Sequence, residues 1–101
     1  MKKEKIFLNE HGEKEKIFHD EPTEEEIPKD GMYGYYDEDG CVIRKNNKNG
    51  KLHGTQYYYY MSGHLWIEEN YKNGELEGLR TFFYKDGSII KTEIWEMGKC
   101  T

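Results

Sequence analysis

Residues 48–63, KNGKLHGTQYYYYMSG, place four consecutive tyrosines between two turns that contain glycine. Side chains of a β-strand alternate between the two faces of its sheet, so four tyrosines in a row must be shared between both faces. The dipeptides Asn49-Gly50 and Ser62-Gly63 favour tight turns, because glycine adopts positive φ without strain. The stretch therefore predicts a strand bounded by turns, with large aromatic side chains on each face of its sheet.

The same pattern returns twenty-four residues later, and this internal repeat predicts the architecture. NGKLHG at 49–54 matches NGELEG at 73–78, and aromatic residues and turn glycines follow at the same shift. A weaker copy begins at Gly31. We therefore predict an all-β fold in which consecutive antiparallel β-hairpins, with a period of about 24, form one elongated sheet. The turns are expected near Gly40, Gly50, Gly63, Gly74 and Gly87.

The first thirty residues depart from the repeat. KEKIF occurs at 3–7 and again at 14–18, which favours one more hairpin. The acidic segment 19–30 is typical of a connector, with at most one short helix, whose first turn is capped at Thr23 by Glu26. Residues 1–30 are thus predicted to be an N-terminal hairpin and acidic connector, and 31–101 the hairpin repeats, within a single domain.

Pairing across the predicted turns assigns the aromatic side chains to two faces of the sheet. A two-residue loop at Ser62-Gly63 would pair Tyr58 with Ile67, and Tyr59 with Trp66. The face expected to form the core carries Tyr58, Tyr60, Leu65, Ile67, Phe82, Tyr84 and Ile89. The opposite face is predicted to present an aromatic patch to a partner: Tyr57, Tyr59, Trp66 and Phe83. An equally open alternative is that the N-terminal hairpin covers this patch through Ile6, Phe7, Ile17 and Phe18.

Composition narrows the classes of function. The chain has 101 residues and a net charge of −5, and ten of its twenty acidic residues lie in the first thirty. General binders of nucleic acid or of anionic membranes need a basic surface, so neither partner is expected. No apolar run is long enough for a signal peptide or a transmembrane helix, which favours a cytoplasmic protein.

No residue pattern indicates catalysis or metal binding, and we expect neither a cofactor nor an enzymatic activity. The four histidines lack the paired spacing of metal ligands. Glu69 and Glu93 occupy equivalent positions, but the repeat already explains this coincidence. A disulfide between Cys41 and Cys100 is an open alternative to two reduced thiols, which are the favoured state in the cytosol.

The unit YKNGELEGLRTFFYKDGSIIKTEIW at 71–95 resembles the MORN-repeat variant family. Units of that family run from an aromatic residue through Asn-Gly, a short polar spacer, glycine and an aromatic pair to another turn glycine. The resemblance covers residues 31–100. Many bacterial proteins of this type are antitoxins or immunity proteins, often encoded beside secreted polymorphic toxins. The resemblance implies a hairpin-repeat sheet and a non-enzymatic immunity protein that binds and neutralises a cognate toxin.

The acidic connector fits this expectation, because nuclease toxins are commonly basic and complementary charge speeds association. The carboxylates expected to face such a toxin are Asp20, Glu21, Glu24, Glu25 and Glu26. On the alternative interpretation the acidic run is a solvated linker. The alternative function is a MORN-type structural module for protein–protein interaction or membrane tethering. A homo-oligomer is left open by both interpretations.

Overall fold

The computed structural model describes the backbone of residues 4–8 and 14–101, and the side chains from residue 17 onward. Its strands are β1 (Glu4–Leu8), β2 (Lys14–Phe18), β3 (Gly31–Tyr36), β4 (Val42–Lys48), β5 (Lys51–Leu52), β6 (Gly54–Tyr59), β7 (Leu65–Lys72), β8 (Glu75–Phe83), β9 (Ile89–Glu96) and β10 (Lys99–Cys100). They form one open sheet in the order β1-β2-β3-β4-β6-β7-β8-β9-β10, with β5 paired to β4 beside this path. The predicted all-β hairpin architecture is confirmed.

The connector between β2 and β3 contains a single hydrogen-bonded turn. The amides of Glu26 and Ile27 both donate to the carbonyl of Thr23, while Glu26 Oε1 accepts from the Thr23 amide at 3.0 Å. The Glu26 carboxylate thus caps the Thr23 amide, as predicted, but the Thr23 hydroxyl donates to Glu26 Oε1 instead of accepting from the Glu26 amide. The turn does not extend into a helix, and the described residues offer no helix that is long and apolar enough to span a membrane.

Turns occupy the predicted glycine positions. Asn49 and Gly50 have φ angles of 51° and 78°, and Asn73 and Gly74 repeat the pattern with 50° and 86°. Two successive residues with positive φ form the type I′ turn, whose twist matches that of the strands it joins. This requirement explains why Asn-Gly recurs at each of these two corners.

The tips of the two later hairpins differ from the prediction. The amide of Tyr60 donates to the carbonyl of His64 at 2.8 Å, so the loop has three residues instead of two. Tyr58 pairs with Ile67 as predicted, but Tyr59 pairs with Leu65. Trp66 is therefore the extra residue of a β-bulge, and its predicted pairing with Tyr59 is wrong. In the three-residue loop Gly63 takes the positive φ that such loops favour at their last position, and the bulge at Trp66 restores the predicted pairing of Tyr58 with Ile67.

The N-terminal hairpin extends the sheet. β1 and β2 are antiparallel, as predicted, and β2 then pairs with β3 in parallel, with Ile17 opposite Gly34 and Phe18 opposite Tyr35. The alternative that this hairpin covers the second face is wrong for Phe18, which lies in the core cluster, whereas Ile17 lies on the second face beside Gly34. The Ile6 and Phe7 side chains lie outside the described residues.

The core lies at the N-terminal end of the repeats. Its buried side chains are Phe18, Tyr33 and Tyr35, with Ile27 of the connector and Ile43 packed against them. Ile67 is also buried. The predicted core is wrong for Tyr84 and Ile89, which are 54% and 59% exposed. Tyr58, Tyr60, Leu65 and Phe82 are only half-buried.

Burial is concentrated there because the connector packs on β2 and β3 through Ile27 and is bonded to β4 and the turn that follows it. It is held on β4 and its turn by three hydrogen bonds: Asn47 Nδ2 to the carbonyl of Pro28, the amide of Asn49 to Asp30 Oδ1, and the amide of Gly50 to the carbonyl of Lys29. Strand patterns specify which side chains share a face. They do not specify how far a separate segment extends across that face.

Basic side chains take over part of this covering role in the later hairpins. The Arg80 guanidinium lies 5.0 Å from the Phe82 ring centroid, and Lys91 Nζ lies 4.8 Å from the same centroid. Long basic side chains cover apolar surface with their methylene groups and keep their charges in water. The later hairpins are therefore stabilised within one layer, chiefly by cross-strand contacts.

A double-mutant cycle at Gly34 and Ile17 tests the parallel pairing. A Cβ atom at Gly34 would lie 2.8 Å from Cδ1 of Ile17 and 3.1 Å from the carbonyl oxygen of Ile43. Because overpacking typically costs about 1–3 kcal/mol, Gly34→Ala should lower the free energy of unfolding by that amount. In the Ile17→Ala background the same substitution should cost less, since the crowding methyl is gone. Urea denaturation of the four proteins measures the coupling, and strictly additive effects would contradict the register.

Candidate partner-binding surface

Two tyrosines of the predicted aromatic patch are joined by an arginine. The rings of Tyr57 and Tyr59 stack with centroids 6.5 Å apart. Arg44, opposite Tyr57 on β4, places its guanidinium 5.3 Å from the centroid of that ring and donates to the Tyr59 hydroxyl at 3.0 Å. Both tyrosines are half-buried. The planar guanidinium thus covers part of the second face and keeps a charge beside it.

The other half of the predicted patch lies at the hairpin tips. Trp66 is 39% exposed, and its ring packs at 5.7 Å against Tyr60, a residue predicted for the opposite face. The bulge explains this contact, because the extra residue shifts the alternation of side chains. The Tyr60 hydroxyl donates to the Phe83 carbonyl at 2.6 Å, and Lys85 Nζ lies 5.6 Å from the Tyr60 ring centroid. Phe83 itself is half-buried.

The predicted acidic residues separate into two groups. Asp20 and Glu21 line a groove of about 510 Å³, together with four residues that the sequence analysis did not select: Tyr36, Asp37, Glu38 and Asp39. Glu24 lines a different cavity of about 320 Å³, beside Ile27 and Pro28, and Glu25 is exposed. Glu26 accepts hydrogen bonds from the Thr23 amide and hydroxyl, so its role includes holding the connector turn.

The parallel pairing of β2 and β3 creates the acidic groove. Phe18 lies opposite Tyr35, so the residues that follow both strands emerge at the same end of the sheet. This brings Asp20 and Glu21 next to the turn sequence DEDG at 37–40. The turn sequence was visible as a charge cluster, but no local pattern links it to the connector.

Local hydrogen bonds order the acidic turn. Asp37 Oδ1 accepts from the amides of Asp39 and Cys41, both at 2.9 Å, while the side chains of Glu38 and Asp39 are exposed. Beside them, the partly exposed Tyr36 ring stacks on His19 with centroids 6.2 Å apart. Five carboxylates and an aromatic ring therefore share one groove.

The negative field also reaches the core. Burial, with the carboxylates Glu21 and Asp37 and the neighbouring Tyr33 hydroxyl, raises the pKa of Tyr35 to about 12. Removing the proton from this phenol would place a further negative charge in an apolar site beside two others. The same potential that opposes tyrosinate formation favours cations at the groove.

The repeated glutamates, Glu69 and Glu93, belong to a row of charged side chains across β7, β8 and β9. Glu69 is 2% exposed and accepts hydrogen bonds from the Tyr58 and Tyr71 hydroxyls. Arg80 Nε lies 3.2 Å from Glu69 Oε2 and 3.9 Å from Glu93 Oε1, as ion pairs without hydrogen-bond geometry at that nitrogen. Arg80 thus lies between the two carboxylates and pairs the buried charge of Glu69, which would be costly to leave uncompensated.

The remaining candidates from the sequence are the two cysteines and a metal site. Cys41 is half-buried and Cys100 is exposed, and both are free thiols, so the disulfide alternative is wrong. Within the described ranges, no three histidine, cysteine or carboxylate side chains are grouped to hold a metal ion.

No protein-family model matches this chain, and no curated protein or solved structure matches it either. Membership of the MORN-repeat variant family therefore stays a prediction from the sequence.

Tyr58 provides a test of the Glu69 site. Burial, with the charge and hydrogen bond of Glu69, raises the pKa of the Tyr58 phenol above its ordinary value. A raised folded-state pKa means that stability is retained below about pH 10, where the unfolded phenol titrates. Stability then falls as the pH rises further, by at most about 1.4 kcal/mol per pH unit for each such group.

We expect Tyr58→Phe to make the loss of unfolding free energy between about pH 10 and 11.5 shallower than in the wild type. Urea denaturation at several pH values measures this slope. Tyr84→Phe, at an exposed tyrosine, is the matched control and should leave the wild-type slope in place. Equal slopes in all three proteins would contradict the Tyr58–Glu69 contact.

Proposed function

We propose that this chain is a non-enzymatic immunity protein that binds and neutralises a cognate toxin domain in the bacterial cytoplasm. The observation that carries the proposal is the acidic groove. There Asp20 and Glu21 of the connector lie beside the carboxylates of the turn between β3 and β4, at residues 37–39. The resemblance of residues 31–100 to MORN-repeat variant proteins supports the same function.

The chemistry of the groove favours a basic protein surface. Clustered carboxylates attract Lys and Arg side chains, accelerate encounter and disfavour acidic competitors. Toxins that cleave nucleic acid need positive charge to hold phosphates, so a basic nuclease domain is a well-matched partner. An acidic groove would then cover the residues that the toxin needs for its own substrate. The same field disfavours nucleic acid and anionic membranes as direct partners of this chain.

Exposed aromatic rings near the hairpin tips supply the apolar part of the proposed toxin-binding surface. Tyr36 lines the groove, and Trp66 is partly exposed at the tip of the next hairpin. Tyrosine and tryptophan dominate binding energy at many interfaces, since they bury large areas and lose little rotamer entropy. Charge is therefore proposed to guide the approach, and the aromatic rings to hold the complex.

Charge reversal tests the groove. The double variant Glu38→Lys/Asp39→Lys should slow association with the cognate toxin domain by about tenfold at low salt. It should also reduce growth protection when toxin and immunity protein are co-expressed. Glu75→Lys/Glu96→Lys changes the net charge by the same amount at exposed positions outside the groove and is the control.

Stopped-flow fluorescence at about 0.05 M and about 0.5 M salt measures both association rates. Added salt shortens the Debye length and should shrink the difference between variant and wild type. Equal effects of the two double variants would contradict a role for the groove. A wild-type chain that gives no growth protection would contradict the immunity function and leave the structural interaction module as the better interpretation.

Trp66 tests the aromatic component. Because its ring is partly exposed and makes one aromatic contact, Trp66→Ala should lower the free energy of unfolding by about 1 kcal/mol. The same substitution should weaken toxin binding by more than about tenfold if Trp66 anchors the complex. Phe18→Ala is the comparison for a core ring and should cost about 3–5 kcal/mol of stability. Calorimetric titration and urea denaturation separate the two effects, and unchanged toxin binding would exclude Trp66 from the interface.

A further inference from the structure

Strand β9 presents an open backbone edge at the end of the sheet opposite the acidic groove. Its inner side pairs with β8, and on its outer side β10 pairs only with Trp95 and Glu96. The amide of Thr101 continues this pairing by one bond, to the carbonyl of Ile94 at 2.8 Å. Among the described strands, none pairs with the outer side of residues 89–93.

The bond from Thr101 defines which backbone groups face outward. The carbonyl of Ile94 points away from β8, and backbone groups of an antiparallel strand alternate between its two sides. The amide and carbonyl of Thr92 therefore face outward as well. Unpaired groups of this kind are a template for another strand, which natural proteins usually shorten, charge or cover.

Apolar side chains surround this edge. Ile89, Ile90 and Ile94 on β9 are all exposed, and so is Leu79, the cross-strand neighbour of Ile94 on β8. An exposed group of branched side chains beside unpaired backbone is characteristic of an interaction surface.

The internal repeat specifies the chemistry of a strand that fits here. β9 is the equivalent of β7, twenty-four residues later, and the outer side of β7 is covered by β8. There Phe82 lies opposite Ile67, Thr81 opposite Glu68, and Arg80 opposite Glu69. The corresponding positions of β9 are Lys91, Thr92 and Glu93. A strand with a cation, a β-branched residue and an aromatic residue in succession would repeat this pairing.

The side chains of β9 suit that sequence. Glu93 already accepts from the Trp95 indole at 3.1 Å and pairs with Lys91 at 3.3 Å. Its carboxylate is still 23% exposed, and this exposed part would face the cation, as Glu69 faces Arg80. The Lys91 ammonium, which already lies over the Phe82 ring, would meet a second aromatic ring on its outer side. A strand with a carboxylate opposite Glu93 or a cation opposite Lys91 would place like charges opposite each other, so the edge is selective.

A second copy of this chain fits the edge less well. Antiparallel pairing of two β9 strands about Thr92 would place Lys91 opposite Glu93, which is favourable. It would also place Ile90 of one copy opposite Ile94 of the other, where Thr101 is already bonded to the carbonyl. A partner strand whose first paired residue lies opposite Glu93 avoids this conflict.

We propose that the outer edge of β9 accepts one antiparallel strand from a partner protein, with the pattern Arg or Lys, β-branched residue, aromatic residue opposite Glu93, Thr92 and Lys91. The edge lies at the other end of the strand order from the acidic groove. Its use is therefore independent of the toxin contact proposed above.

A synthetic peptide with the sequence of residues 80–87, RTFFYKDG, is the probe. It contains the part of β8 that pairs with residues 67–69 of β7, begins opposite the glutamate, and continues into the hairpin loop. Fluorescence anisotropy of the labelled peptide with the full chain should show saturable binding. Thr92→Pro removes the outward amide and should weaken binding by about tenfold or more, while Thr92→Val keeps the amide and should bind as the wild type does. Hydrogen exchange should show that the Thr92 amide becomes protected when peptide is added.

Charge exchange gives a test that does not need the proline variant to fold. Glu93→Arg should weaken binding of the peptide, and a peptide with glutamate in place of its arginine should restore it. Absence of peptide binding, or binding that ignores both Thr92→Pro and the charge exchange, would overturn the proposal. A dimer in sedimentation equilibrium that Thr92→Pro dissociates would also overturn it, since a second copy would then occupy the edge.

Discussion

The parallel pairing of β2 with β3 places Phe18 beside Tyr35, and the core and the acidic groove both depend on it. Parallel strands need a crossover connection, and the acidic connector provides it while laying Ile27 over the buried rings. The same register delivers the end of β2 and the end of β3 to one edge of the sheet. The pairing of β2 with β3 thus buries the rings of the core and also brings the carboxylates of the connector next to those of the turn after β3.

The sequence predicts the repeating part of this structure well, because its determinants are local. Asn-Gly turns need two residues with positive φ, and alternating aromatic runs need strands, so period, hairpins and most turns follow from residues close together in the chain. The bulges at Trp66 and Ile90 were missed, since a three-residue loop and a two-residue loop share the same glycine signal. One displaced residue is enough to bring Trp66 to Tyr60.

The candidate site was only partly predictable, for a different physical reason. Asp20 and Glu21 were selected by charge, but their neighbours at 37–39 join them only through a parallel pairing that no local pattern encodes. Glu69 was visible as a repeated carboxylate, yet its burial depends on two tyrosines and an arginine from neighbouring positions of the sheet. Periodicity indicates which residues are equivalent. Their environments differ because the elements beside them differ, and burial decreases along the sheet away from the connector.

The turn glycines show how the non-repetitive segment joins the repeat. The amides of Gly74 and Gly98 donate to the carbonyls of Leu52 and Leu76, each in the preceding unit. Gly50 makes the same kind of bond, but its acceptor is the carbonyl of Lys29 in the connector. The connector therefore takes the place of a preceding unit at this corner, although its sequence is unlike the repeat. It completes the hydrogen bonding at that end of the array and at the same time carries the carboxylates, so the charge is fixed in position by the bonds that hold the fold.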